Sequence, residues 1–237
     1  MSDDHLGPLF LYSTSMTPHE RLMLEWASRR VGRTLSAPIK AVFVQASLPA
    51  PSKDEVEKMR RHLDVEGVAV EVSDAGLNVR ADAYRPEVID RLQHADLVLL
   101  TGGSPERAHE VMGGTPALTA LRAASASGAV IAGCSAGALL MGRGMLTGPP
   151  AARHPIDLWD WLPGVLIAPH YGRYEMALWL RSFPGCVVLG IPDGGMALVL
   201  HGDSVRSLGP EPVFVIRPGT AHAERVRPGE RAMLARP

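Results

Sequence analysis

Gly133-Cys134-Ser135-Ala136-Gly137 sets a serine between two glycines at GxSxG spacing, with apolar residues 129–132 before it and the turn-free run 136–141 after it. A serine at such a strand-to-helix corner projects its hydroxyl clear of the sheet, the arrangement called a nucleophile elbow. The glycines meet a steric need, because a strand and a helix that approach this closely leave no room for side chains two positions either side. The helix aims its first N–H groups and positive dipole end at the serine, where a developing oxyanion would sit. The pattern points to acyl transfer by a hydroxyl. Read alone, it also fits a small-residue turn where a strand packs on a helix.

A serine hydroxyl becomes a nucleophile only when a base takes its proton and a third group orients that base. Of the nine histidines, His5, His19, His62, His94 and His109 fall at a terminus or in expected helices and are predicted to face solvent, while His154 lies in a loop and His201 at a hairpin end. His170 directly follows the apolar run 165–168, on the strand edge where Ser135 and Gly102-Gly103 also emerge. Ligands bind outside the carboxyl ends of parallel strands, so His170 is the expected base. Asp193, just past the next strand, is the natural orienting carboxylate, although an Asp-Gly turn would use the same residues.

These residues need a scaffold, and the chain supplies one by alternation. Apolar, β-branched runs at 9–12, 39–46, 68–72 and 95–100 alternate with helical patterns from Thr17, over 53–66 and over 84–94. Helices over 116–127 and 174–183 and strands over 165–168 and 186–191 continue the series. The expected class is α/β, a mostly parallel central sheet with helices on both faces. Thr101-Gly102-Gly103-Ser104-Pro105 ends one strand and starts a helix, with Ser104 as cap and Pro105 in the first turn. Residues 147–162 read as an ordered loop walling a pocket, and runs at 196–201, 204–208 and 213–216 as C-terminal antiparallel hairpins.

Composition narrows the class. A length of 237 residues with 46% apolar content suits one domain over 1–237 with a sizeable core. The 24 basic and 25 acidic residues are spread along the chain, which argues against nucleic acid or an anionic membrane as partner. Two cysteines, Cys134 and Cys186, imply a reducing compartment, and the absence of a leader-like start or a long apolar run predicts a cytoplasmic protein. No GxGxxG follows any strand, so dinucleotide binding has no support, and neither a cofactor nor a metal is expected.

The stretches TGGSPERAHEVM, VIAGCSAGALLMG, IAPHYGR and LGIPDGG together resemble the dipeptidase E and cyanophycinase family of serine peptidases over roughly residues 95–200. The resemblance implies a class I glutamine amidotransferase-like fold, a short peptide as substrate, and self-association into a homo-oligomer as some members show. It implies Ser135 as nucleophile, His170 as base, and the N–H groups of Gly103 and Ala136 as oxyanion hole. It also implies that a cation reads the side-chain carboxylate of an N-terminal aspartate, a role for which Arg173 is the candidate. Ser104-Pro105, where the family usually has Asn, Asp or a similar polar residue after the two glycines, and Tyr171, where it usually has Phe, are departures on the substrate side. Anchoring on Leu189-Gly190-Ile191 puts the family's carboxylate at Asp193, while anchoring on Ala197-Leu198 puts Gly194 there; Glu175 and Asp203 are the reserves.

Three other readings remain open. An α/β-hydrolase-type esterase would order its triad Ser135, Asp193, His222. A Cys134 nucleophile would need less activation but would have alanines as flanks. A binding protein with a decayed site would keep the fold and lose the carboxylate.

Overall fold

The computed structural model describes residues 6–14, 17–31, 38–173, 176–220 and 222–234. Strands β1 (Leu9–Tyr12), β2 (Ile39–Val44), β3 (Val70–Asp74), β4 (Leu97–Leu100) and β5 (Val130–Cys134) alternate with helices α1 (Thr17–Val31), α2 (Lys53–His62), α3 (Pro86–Gln93), α4 (Pro105–Met112) and α5 (Pro116–Ala126). Then follow α6 (Ala136–Leu139), β6 (Gly144–Thr147), β7 (His154–Asp157), β8 (Val165–Pro169), α7 (Met176–Ser182) and β9 (Val187–Ile191). Strands β10 (Met196–Leu200), β11 (Ser204–Ser207), β12 (Val213–Ile216), β13 (Glu224–Val226) and β14 (Arg231–Met233) close the described chain.

The central sheet runs β14-β11-β10-β1-β5-β4-β2-β3. Strands β1 to β5 are mutually parallel, and β10, β11 and β14 extend the sheet antiparallel. Side chains alternate between two cores as the two-residue strand period requires. Leu9, Leu11, Val42, Val44, Val98, Leu100 and Ile131 enter one core with α3, α4 and α5. Phe10, Tyr12, Ala41, Phe43, Leu97, Leu99, Val130 and Ala132 enter the other with α1 and α2. The sheet is thus covered on both faces, as the near-continuous apolar strands predict. Ser52, Ser104 and Thr115 accept the N–H three residues on and so fix where α2, α4 and α5 begin.

Four features differ from the sequence reading. Strands β8 and β9 pair in parallel with each other but lie in a second sheet of order β13-β12-β9-β8. The expected loop 147–162 contains most of an antiparallel hairpin, β6 with β7, and the residues after 216, where no strand is expected, contribute β13 and β14. His19 is buried rather than solvated, because α1 lays its ring edge-on against Tyr12 at 5.8 Å. His62 and His109 are partly covered, His94 is exposed, and His5 lies outside the described residues. Among the described residues, no helix is long and apolar enough to cross a membrane.

Candidate active site

The corner after β5 is built as the glycines demand. A Cβ on Gly133 would lie 2.6 Å from the Ala138 nitrogen, and one on Gly137 would lie 2.5 Å from the Leu100 carbonyl oxygen. Ser135 itself sits at φ 49° and ψ −109°, a conformation that L residues avoid, and costs of order 1–3 kcal/mol. What holds it is the backbone on both sides: the Ser135 N–H donates to the Tyr12 carbonyl at 2.8 Å, and the Gly137 N–H to the Thr101 carbonyl at 3.1 Å.

The Ser135 hydroxyl points at His170, with Oγ 2.9 Å from Nε2. The other ring nitrogen of His170, Nδ1, is 2.5 Å from Oδ1 of Asp193. His170 follows β8 and Asp193 follows β9, so the second sheet carries both and delivers them to the serine on the first. His170 also adopts a positive φ, 55°, in the left-handed region that residues other than glycine seldom occupy. Asp193 receives two further donors, Thr14 Oγ1 on Oδ1 at 3.1 Å and Arg173 Nη2 on Oδ2 at 2.7 Å. The bond to His170, then that from Thr14 and the charge of Arg173, hold its carboxyl below the ordinary carboxylate value.

The strand end before α4 completes the rim. Gly102 approaches the serine so closely that a Cβ there would lie 3.4 Å from the Ser135 Cβ. Gly103 takes φ 134° beside Ser47, whose carbonyl oxygen would be 2.6 Å from an added Cβ, so only glycine fits. Ser47 pins this loop from below, accepting the Ser104 N–H on its carbonyl at 2.9 Å and donating its hydroxyl to the Gly102 carbonyl at 2.6 Å. The Ala136 N–H is the first of α6, a position whose donor has no partner within its own helix.

The remaining expectations meet mixed geometry. The Ser104 hydroxyl is taken up inside the turn, capping the Arg107 N–H at 3.1 Å and reaching Glu106 Oε2 at 3.0 Å. Thr147, at the end of β6, donates to the other oxygen of Glu106 at 3.1 Å, so the hairpin does reach the start of α4. Tyr171 packs inward: its ring stacks on Phe214 at 4.8 Å and fills the space over Gly190. Arg173 is exposed and paired with Asp193. Asp203 lies beyond the end of β10, and since β10 runs antiparallel to β1, its turn is at the sheet edge opposite Ser135. Glu175 lies outside the described residues.

The Cys134 thiol turns to the α1 and α2 side of the sheet, 3.7 Å from the Ser13 carbonyl, and away from the imidazole that Ser135 meets. His222 is exposed and is not among the partners of Asp193. The sequence reading missed Ser13, Thr14 and Ser47. A signal was available for all three, since small polar residues follow the carboxyl ends of β1 and β2 on the same edge as Ser135. Among the described residues no cluster of His, Cys, Asp and Glu could hold a metal ion.

Residues 9–208 match the model of peptidase family S51. The fold is similar to that of a peptidase from an acI-B1 Actinobacterium, at TM-score 0.76 and 18% identity, with 97% of this chain and 98% of that one covered. It is also similar to a putative peptidase E protein from Listeria monocytogenes EGD-e, at TM-score 0.55 and 18% identity over 90% of this chain and 98% of that one. No curated protein matches the chain. The family match spans every strand from β1 to β11 and takes in the elbow, the imidazole and the carboxylate alike, so the chain belongs to peptidase family S51, the dipeptidase E and cyanophycinase family of serine peptidases.

Proposed function

We propose that this chain hydrolyses short peptides from one end through an acyl-enzyme on Ser135, with His170 as general base and Asp193 as its orienting carboxylate. The observation that carries the reading is the relay Ser135 Oγ to His170 Nε2 at 2.9 Å, continued from His170 Nδ1 to Asp193. Asp193 fixes the tautomer that leaves Nε2 free to accept the serine proton, and stabilises the imidazolium that forms. Attack on the scissile carbonyl places negative charge on its oxygen, which the N–H groups of Gly103 and Ala136 then bind. His170 passes its proton to the leaving amine, and water attacks the ester with His170 again as base.

Arg173 supports a broader specificity than a strict aspartyl dipeptidase. One of its nitrogens is bound to Asp193, so an acidic substrate side chain must compete with that carboxylate for the guanidinium. Neutral N-terminal residues should therefore be accepted beside aspartate. Digestion of a mixed peptide library followed by mass spectrometry, comparing wild type with Ser135→Ala, tests the proposal. Short products with a consistent terminal pattern from wild type alone support it; identical product lists would refute it.

A further inference from the structure

The three residues at the carboxyl end of β1, Tyr12-Ser13-Thr14, touch each member of the relay in turn. The Tyr12 carbonyl accepts the Ser135 N–H at 2.8 Å. The Ser13 hydroxyl accepts the His170 N–H at 2.8 Å and donates its own proton to the Ile191 carbonyl at 2.5 Å, two residues before Asp193. The Thr14 hydroxyl donates to Asp193 Oδ1 at 3.1 Å. Ser13 is 2% exposed, so its hydroxyl has given up water for these partners among the described residues.

This segment solves a problem peculiar to the architecture. Ser135 stands on the central sheet, whereas His170 and Asp193 stand on the second one. Strand pairing fixes positions within a sheet but not between sheets. A relay whose members must hold hydrogen-bond distance therefore needs a tie across the gap. Strand β1 pairs directly with β5 in parallel, Tyr12 opposite Cys134, so whatever it grips is registered to the nucleophile. Ser13 grips the main chain of both second-sheet strands just where His170 and Asp193 begin.

We infer that Ser13 and Thr14 are positioning residues of the relay: Ser13 sets the His170 backbone and the end of β9 against the nucleophile, and Thr14 orients the Asp193 carboxylate. The inference rests on the proposed triad and adds two residues that the family motifs do not mark in this chain. Neither touches substrate; each acts through His170 or Asp193. Ser13→Ala leaves the His170 N–H and the Ile191 carbonyl without the hydroxyl, and a small displacement of a reacting group costs about 10²-fold in turnover. Thr14→Val is nearly isosteric and removes one hydrogen bond to a charged group, for a loss of about tenfold. Thr14→Ser keeps the hydroxyl.

The test measures kcat and KM on a cleaved peptide for these three variants, together with circular dichroism and the low-field proton resonance of His170 Nδ1–H, assigned by its loss in His170→Ala. The expected result is a fall in kcat with KM within about twofold for Ser13→Ala and Thr14→Val, recovery in Thr14→Ser, and a shifted or broadened Nδ1–H resonance in the first two. Folded Ser13→Ala and Thr14→Val proteins with wild-type kcat and an unchanged resonance would overturn the inference while leaving the peptidase reading intact. A wild type inert on every peptide whose resonance is still lost in Ser13→Ala and Thr14→Val would sink the peptidase reading and leave the brace standing. Should Ser13→Ala fail to fold, the Thr14 pair, which changes an exposed side chain, decides.

Discussion

Arg173 Nη2 lies 2.7 Å from Oδ2 of Asp193, the carboxylate oxygen that the imidazole of His170 does not use. The residue best suited to read a substrate carboxylate is thus already on a carboxylate of the protein. A site built to hydrogen-bond one polar group rejects analogues lacking it by about 10⁴-fold or more, and a shared arginine cannot reach that. We expect kcat/KM for dipeptides with N-terminal aspartate and N-terminal asparagine to agree within about tenfold. Discrimination of a thousandfold or more in steady-state assays would show that Arg173 leaves Asp193 for the substrate.

The corner serine is strained, and glycine relieves strain at positive φ. Ser135→Gly and Ser135→Ala should both lack turnover, yet the glycine variant should be the more stable of the two by about 1 kcal/mol. Urea unfolding midpoints of the pair check this. Equal midpoints would mean that the loop relaxes once the hydroxyl is gone.

Gly133 and Gly137 meet backbone atoms where a Cβ would stand, and backbone yields less readily than a flexible side chain. Gly137→Ala should cost about 1–3 kcal/mol in denaturant unfolding and also disturb the serine. Gly67→Ala is the contrast: its difficulty is a positive φ of 81° rather than a close backbone atom, it has open space around it, and the change should leave turnover unchanged.

Burial pushes the His19 imidazole below its ordinary value, so the folded protein keeps it neutral while the unfolded chain takes up a proton near pH 6.5. The unfolded state then binds more protons below that pH, and stability falls as pH drops through the unfolded value toward the lower folded one. His62 and His109 are shifted the same way and add to the slope. Denaturation at pH 8.0 and 5.5 should show a loss on acidification that His19→Gln reduces. A loss of the same size in the variant would place the titrating group elsewhere.

The local grammar of the chain was readable because each signal had a local cause. GxSxG gave the corner, Ser104-Pro105 gave the start of α4, and the apolar runs gave β1 to β5. What was not readable was which sheet a strand joins. Residues 165–169 and 187–191 pair in parallel and are fully buried, a pattern shared by a central strand and by a strand of a separate sheet. His170 was therefore expected on the right edge through the wrong scaffold. Solvent exposure of single polar residues was equally opaque: His19 sits on α1 among charged neighbours, and only the tertiary packing on Tyr12 buries it. The hairpin β6–β7 escaped notice because prolines at 149, 150 and 155 read as loop, although Pro155 occupies a strand of a two-stranded ribbon, where an unpaired edge tolerates it.

The relay from Ser135 to His170 is tested most directly by mapping the adduct of a fluorophosphonate probe on wild type and on His170→Ala by peptide mass spectrometry. The expected result is a single adduct on Ser135 in wild type, formed at least about 10²-fold more slowly once the imidazole is removed. An adduct on another residue, or labelling of Ser135 at an unchanged rate without His170, would contradict it.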